Sequence, residues 1–237
     1  MDTLRIAPGP EQVTETPPEE GRRLRMTYEE FLAWADEDVH AEWVDGEVIV
    51  HMPPKTIHQD IATFLVALLR FFAQFFQLGK VLTAPYEMKV DPPDGPAREP
   101  DILFVATENL ARLTENKLEG PADLIVEIIS DDSVSRDRSR KFYEYQAAGV
   151  REYWIIDPRQ GTERADFWVL DEDGRYRPVP VGDDGIYRST VIPGFWLRVD
   201  WLRAEELPDP LLTLAEIANF PPHVVEALRE MAAQSGS

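Results

Sequence analysis

The sequence predicts an α/β domain with a central mixed sheet flanked by helices, and three observations carry that prediction. Ile102-Leu103-Phe104-Val105, Leu124-Ile125-Val126-Glu127-Ile128-Ile129 and Tyr153-Trp154-Ile155-Ile156 are short apolar runs rich in β-branched and aromatic residues. A helical pattern, Arg136 to Ala148, lies between the second and the third. Strand–helix–strand order of this kind makes neighbouring parallel strands the expected arrangement. At 237 residues with 43% hydrophobic content, the chain is long and apolar enough for one well-cored domain with extensions.

In chain order, Met1 to Arg25 is acidic and rich in proline, the composition of a disordered tail. The domain is expected over residues 26–203, followed by a helical extension over 204–237. Thr27-Tyr28-Glu29-Glu30 is a capping box for a first helix. Asp45-Gly46 between Ala41–Val44 and Glu47–Val50 marks a β-hairpin. A long helix runs from about Thr56 to Leu78, and Gly79 suits its end. Lys80 to Val90 alternates weakly and reads as one strand. Thr107 to Gly120 reads as a polar connector with a helical turn. Ser133 or Ser135 can cap the helix that starts near Arg136, Phe142 and Tyr145 face its core side, and Gly149 ends it. Beyond Pro158, the turn signals Asp171–Gly174 and Asp183–Gly185 predict an antiparallel meander through Trp196. Leu211 to Ala233 is helical by pattern.

Composition limits the chemistry. There is no cysteine, so disulfides, thiolate metal sites and cysteine nucleophiles are excluded, and a reducing cytoplasm is the expected compartment. Ile61 to Leu78 is apolar enough to raise the membrane question. Arg70 interrupts it at a cost of roughly 2.5–3.5 kcal/mol, so a buried core helix is expected. The net charge of −20 opposes binding of a polyanion unless a local basic patch or bound cations offset it.

Two strand carboxylates stand out. Asp101 sits at the mouth of the first apolar run, and Glu127 lies inside the second on one face with Ile125 and Ile129. An unpaired carboxylate there costs several kcal/mol, so Glu127 requires a cation, a proton or hydrogen bonds. A metal ion shared with Asp101 meets that requirement. Nearby, Asp137 and Lys141 have the spacing of a helical ion pair.

These residues carry a resemblance. Pro100-Asp101, then Glu127-Ile128-Ile129-Ser130, then Asp137-x-x-x-Lys141-x-x-x-Tyr145-x-x-x-Gly149-Val150, then Glu152-Tyr153-Trp154 is similar to the Uma-type restriction-endonuclease family of the PD-(D/E)xK nuclease superfamily. The likeness runs from about Met26 to Trp201. It implies a restriction-endonuclease-like core and a Mg²⁺-dependent endonuclease, with Mn²⁺ an alternative ion. Metal ligands would be Asp101, Glu127, the backbone carbonyl of Ile128 and, as a third acid, Glu42. The superfamily lysine usually stands two residues after the strand acid, where this chain has Ile129. The resemblance supplies Lys141 instead, moved to the following helix, with Asp137 to orient it. His58 and Arg138 are candidate substrate contacts.

DNA is the implied partner. Self-association as a homodimer is expected, because Phe71, Phe72, Phe75 and Phe76 offer more apolar surface than one sheet face covers. Two other readings stand beside the nuclease: a catalytically silent acidic interaction protein of the same fold, and a metal-dependent hydrolase of small phosphate esters.

Overall fold

The computed structural model describes residues 23–35, 41–50, 55–93, 95–130, 136–159, 161–203 and 206–234. The chain begins with β1 (Arg23–Arg25), α1 (Tyr28–Trp34), β2 (Ala41–Val44), β3 (Glu47–Val50) and the long α2 (Thr56–Phe75). Next come β4 (Gly79–Thr83), β5 (Glu87–Lys89), β6 (Ala97–Arg98) and β7 (Ile102–Ala106). A 3₁₀ turn, Thr107–Arg112, leads to β8 (Lys117–Glu119) and β9 (Leu124–Ile128). A π-helical turn, Arg136–Arg140, runs directly into α3 (Lys141–Ala148), followed by β10 (Glu152–Asp157). The chain continues through β11 (Arg164–Leu170), β12 (Tyr176–Pro178), β13 (Ile186–Arg188) and β14 (Trp196–Arg198). It closes with a 3₁₀ turn, Val199–Arg203, then α4 (Pro210–Ile217) and α5 (Pro222–Gln234).

Two six-stranded mixed sheets form the architecture, in orders β1-β3-β2-β6-β5-β8 and β12-β11-β10-β9-β7-β4. The second contains all three apolar runs as β7, β9 and β10. Strands β9 and β10 are parallel neighbours joined through α3, as their strand–helix–strand order predicts. Strands β7 and β9 are antiparallel, with Ile102 opposite Val126.

Alternation divides this sheet between two cores. Leu124, Val126 and Ile128 face α2, packing with Phe64, Leu68 and Trp154. Ile125 and Ile129 face the other way, toward Tyr145 and Tyr153. Helix α2 is the one helix among the described residues long and apolar enough to cross a membrane. Seven of its residues, from Ile61 to Ala73, are buried, all of them in the core beneath the sheet. The hairpin β2–β3 closes on Asp45 and Gly46, both at positive φ (52° and 78°), the primed turn that suits strand twist.

Several boundaries differ from expectation. Arg23–Arg25, assigned by composition to the tail, pairs with β3 as β1, and the remainder of that tail lies outside the described residues. Lys80–Val90 is two strands in different sheets, because Pro85 has no N–H to continue the ladder. Gly79 is not a helix cap. Helix α2 ends at Phe75 and Gln77 takes the positive φ, while Gly79 opens β4 where a Cβ would lie 2.1 Å from the Val105 carbonyl oxygen. The connector 107–120 contains β8, and Pro221-Pro222 divides the C-terminal helical pattern into α4 and α5. Leu214 and Ile217 of α4 join the main core. Ser133 and Ser135 lie outside the described residues, as does the side chain of Asp137.

Candidate active site

Asp101 precedes β7 on the strand beside β9, and its Oδ2 accepts the Ile128 N–H at 2.7 Å. That bond holds the carboxylate against the backbone where β9 ends. His58, in the first turn of α2, brings Nε2 to 3.4 Å from the same oxygen. The sheet and α2 therefore both define where Asp101 sits.

Glu127 projects to the α3 side of the sheet and is 3% exposed. Its Oε1 accepts from Lys141 Nζ at 2.9 Å and from the Tyr145 hydroxyl at 2.9 Å. Lys141 opens α3 and is likewise 3% exposed. Burial raises the Tyr145 phenol well above its ordinary range, and the charges on Glu127 and Glu42 raise it further. The phenol thus remains protonated and serves as a donor.

Glu42, on β2 of the first sheet, reaches the same ammonium: its Oε1 lies 3.0 Å from Lys141 Nζ. Oε1 also accepts the Glu99 N–H at 3.3 Å, and Oε2 accepts from Arg98 Nη1 at 3.0 Å. Arg98 Nε and Nη2 then grip Glu144 of α3, at 2.9 and 2.8 Å. Burial disfavours a charged Arg98, but Glu42 and Glu144 outweigh that effect and raise its pKa. Glu99 borders this cluster. Burial first, then the charges of Glu42 and Glu87, push its carboxyl up to about 8, with Lys141 opposing.

The structure therefore unites Glu42, Glu127 and Lys141, and sets Asp101 on the neighbouring strand with His58 beside it. Arg138 is tied to β10 and β11: its Nη2 is 3.3 Å from Asp157 and its Nη1 2.5 Å from Asp166. Ile129 is buried in the apolar cluster with Tyr145 and Tyr153. Arg98, Glu99, Glu144 and Tyr145 belong to the cluster without having been singled out as site residues in sequence. Their signal was adjacency, since Arg98-Glu99 directly precedes Pro100-Asp101 and Glu144-Tyr145 lies one turn after Lys141.

Among the described residues, no three Asp, Glu, His or Cys side chains converge as a metal cluster. Asp101 and Glu127 present carboxylate oxygens, the ligand type that Mg²⁺ takes, commonly one or two per ion with waters and substrate oxygens completing the shell.

The sequence model of the Uma2 family, described as "Putative restriction endonuclease", matches residues 28–200. The chain belongs to the Uma2 family. A solved structure of similar fold is that of "a putative nuclease belonging to DUF820 from Anabaena variabilis ATCC 29413". It is 16% identical, with a TM-score of 0.59 over 75% of this chain and 97% of that one. At that identity the likeness concerns the fold alone. No curated protein matches the chain. In this Uma2 chain, then, the restriction-endonuclease-like core carries its strand acid, Glu127, in direct contact with a helix lysine.

Proposed function

We propose that the protein is a Mg²⁺-dependent endonuclease that hydrolyses DNA phosphodiester bonds. One observation carries the reading: the Lys141 ammonium is buried 2.9 Å from Glu127 Oε1, on the sheet where Asp101 enters the adjoining strand. Membership of the Uma2 family supports the reaction class.

Asp101 and Glu127 would hold the ion, with the Ile128 carbonyl as a backbone ligand. Bound there, Mg²⁺ supplies an activated water and neutralises charge on the scissile phosphate. Lys141 presents a compact positive charge to the oxygens that become more negative in the transition state. Glu42 is held by Arg98 and Lys141, and this favours a role in orienting the ammonium over direct metal ligation. His58 holds Asp101 from the α2 side and is a candidate contact to substrate. The protein's net charge of −20 makes tight binding of long DNA depend on low salt and divalent cations.

We also propose a homodimer formed through the C-terminal end of α2. Phe71, Phe75 and Phe76 are exposed there, beside a groove of ≈ 340 Å³ lined also by Leu214, Ala218 and Phe220. An apolar surface of this kind is rarely left to water.

The test is nicking of supercoiled plasmid in low salt with Mg²⁺ or Mn²⁺, comparing wild type with Glu127→Gln. Wild-type nicking that the substitution abolishes is the expected result. No nicking by wild type, with hydrolysis of a small phosphodiester, selects the small-ester enzyme. Loss of both activities overturns the enzyme reading and leaves the silent binder.

A further inference from the structure

We propose that Arg98 and Glu144 are positioning residues for Lys141, closing a ring of ion pairs that fixes its helix and its ammonium against Glu127. The proposal rests on the nuclease reading only for what the lysine then does. The ring starts at Lys141 Nζ, 3.0 Å from Glu42 Oε1, and continues from Glu42 Oε2 to Arg98 Nη1 at 3.0 Å. It returns to α3 through the two-pronged contact of Arg98 with Glu144, one helical turn beyond Lys141. Helix α3 is thereby gripped twice by the first sheet, while Lys141 and Tyr145 grip β9 of the second.

Stability alone gives a weak reason for this arrangement. The side chains of Arg98 and Glu42 are 0% exposed, and buried ion pairs are often no more stabilising than apolar side chains of similar volume. Geometry gives a better one. A lysine has a long flexible stem, and an ammonium acting on a phosphate must be held within a fraction of an ångström. The helix does not itself provide that, because Lys141 is its first residue and the preceding turn, Arg136–Arg140, is π-helical. Such turns depart from α-helical hydrogen bonding and recur at functional sites.

Each oxygen of Glu42 serves a different cation, so it cannot follow Lys141 away from Glu127 without abandoning Arg98. Arginine is the residue for the opposite corner. Its planar fork engages two carboxylates in fixed directions, which a lysine cannot do. Arg140 braces the same corner, with Nε 3.1 Å from Glu144 Oε1 and Nη2 2.8 Å from Asp45.

The test is the double variant Arg98→Met/Glu144→Gln, which removes one charge of each sign and leaves Lys141, Glu42 and Glu127 in place. Three measurements are made on wild type and variant: thermal unfolding, kcat and KM for plasmid nicking, and the ¹H–¹⁵N correlation of the Lys141 ammonium. That correlation is visible only while the group is held out of rapid exchange with water. The expected variant is folded, with kcat lowered about tenfold or more at unchanged KM and the ammonium signal lost. A folded variant with wild-type kcat and the signal intact overturns the proposal, as does a wild type that lacks the signal. If the double variant does not fold, Glu144→Gln alone decides by the same readouts, since it retains the Arg98–Glu42 pair. If wild type does not cut DNA, the nuclease reading falls, and the ammonium signal still decides whether Arg98 and Glu144 position Lys141.

Discussion

Lys141 Nζ and Glu127 Oε1 lie 2.9 Å apart although 14 residues separate them in the chain. The contact exists because β9 and α3 are consecutive elements and α3 returns across the face of β9 that bears Glu127. A lysine at position 129, on the same strand face, would have to enter the apolar cluster that Ile129 fills. Delivery from the helix gives the strand acid its cation without opening that core.

The first prediction concerns Lys141→Ala. Phosphodiester cleavage should fall by roughly a hundredfold or more, the scale of losing one preorganised transition-state donor. Folding should suffer too, because Lys141 is buried. Removing the ammonium leaves Glu42 and Glu127 buried without it, at a cost of about 3–5 kcal/mol. Urea denaturation measures that cost. An unchanged midpoint with unchanged slope would show that the pairing is energetically irrelevant.

The second prediction concerns divalent ions. On the proposed reading, Mg²⁺ should raise the melting temperature of the wild type, since an ion held by Asp101 and Glu127 would bind the folded state alone and relieve repulsion between carboxylates. Asp101→Asn should remove most of that rise while retaining an acceptor oxygen for the Ile128 N–H. A variant that responds to Mg²⁺ as wild type does would exclude Asp101 as a ligand.

The third is a dependence on pH. Glu99 is raised from its ordinary value to about 8 by burial and by Glu42 and Glu87. The folded state therefore binds a proton that the unfolded chain has released above about pH 4.3. The resulting stability is fully present below that unfolded pKa and is lost as pH rises through about 8. Glu99→Gln imitates the protonated acid, so it should flatten the stability profile between those limits. Chemical denaturation in metal-free buffer at several pH values reads the slope, and identical slopes for both proteins would refute the assignment.

The fourth concerns self-association. Phe75, 65% exposed between Phe76 and Phe220, stands at the centre of the apolar surface on α2. Phe75→Glu should convert a dimer to a monomer without altering the core, because Phe72 carries the inward contact with Phe195. Light scattering that finds the wild type monomeric at micromolar concentration would dismiss the dimer.

What the sequence made legible follows from where the information lies. The strands β7, β9 and β10 are continuous apolar runs, and Asp45-Gly46 specifies its hairpin locally. Glu127 was conspicuous because a carboxylate among aliphatic strand residues requires a partner. Arg98 offered no such cue. It occupies a strand of two residues, too short for any alternation, and its partners Glu42 and Glu144 are 56 and 46 positions away. Glu42 lies in a hairpin strand whose local pattern does not mark it as buried. Its burial arises only when β6 pairs with β2 and α3 covers it, and local pattern holds no record of that event.

The last prediction separates the site from its scaffold. Glu152 lies in the Glu152-Tyr153-Trp154 run that helped to mark the family, and it is fully buried. Its Oε1 accepts from Trp154 Nε1 at 2.7 Å. Its Oε2 accepts from the Ser189 hydroxyl, from the N–H and hydroxyl of Thr190, and from the Val191 N–H, at 2.8–3.1 Å. One carboxylate thus ties the start of β10 to the turn before β14. Glu152 pairs with Leu124, whereas Glu127 pairs with Ile155 farther along the same two parallel strands, so this clip lies at the opposite end of β9 from the site. Glu152→Ala leaves several buried donors without an acceptor and should cost about 3 kcal/mol, which for a chain of this size lowers the melting temperature by roughly 6–12 °C. Assayed well below its transition, the folded variant should cut DNA at the wild-type rate. Lost activity in a folded Glu152→Ala protein would extend the functional site to this end of the sheet, against the assignment of catalysis to Asp101, Glu127 and Lys141.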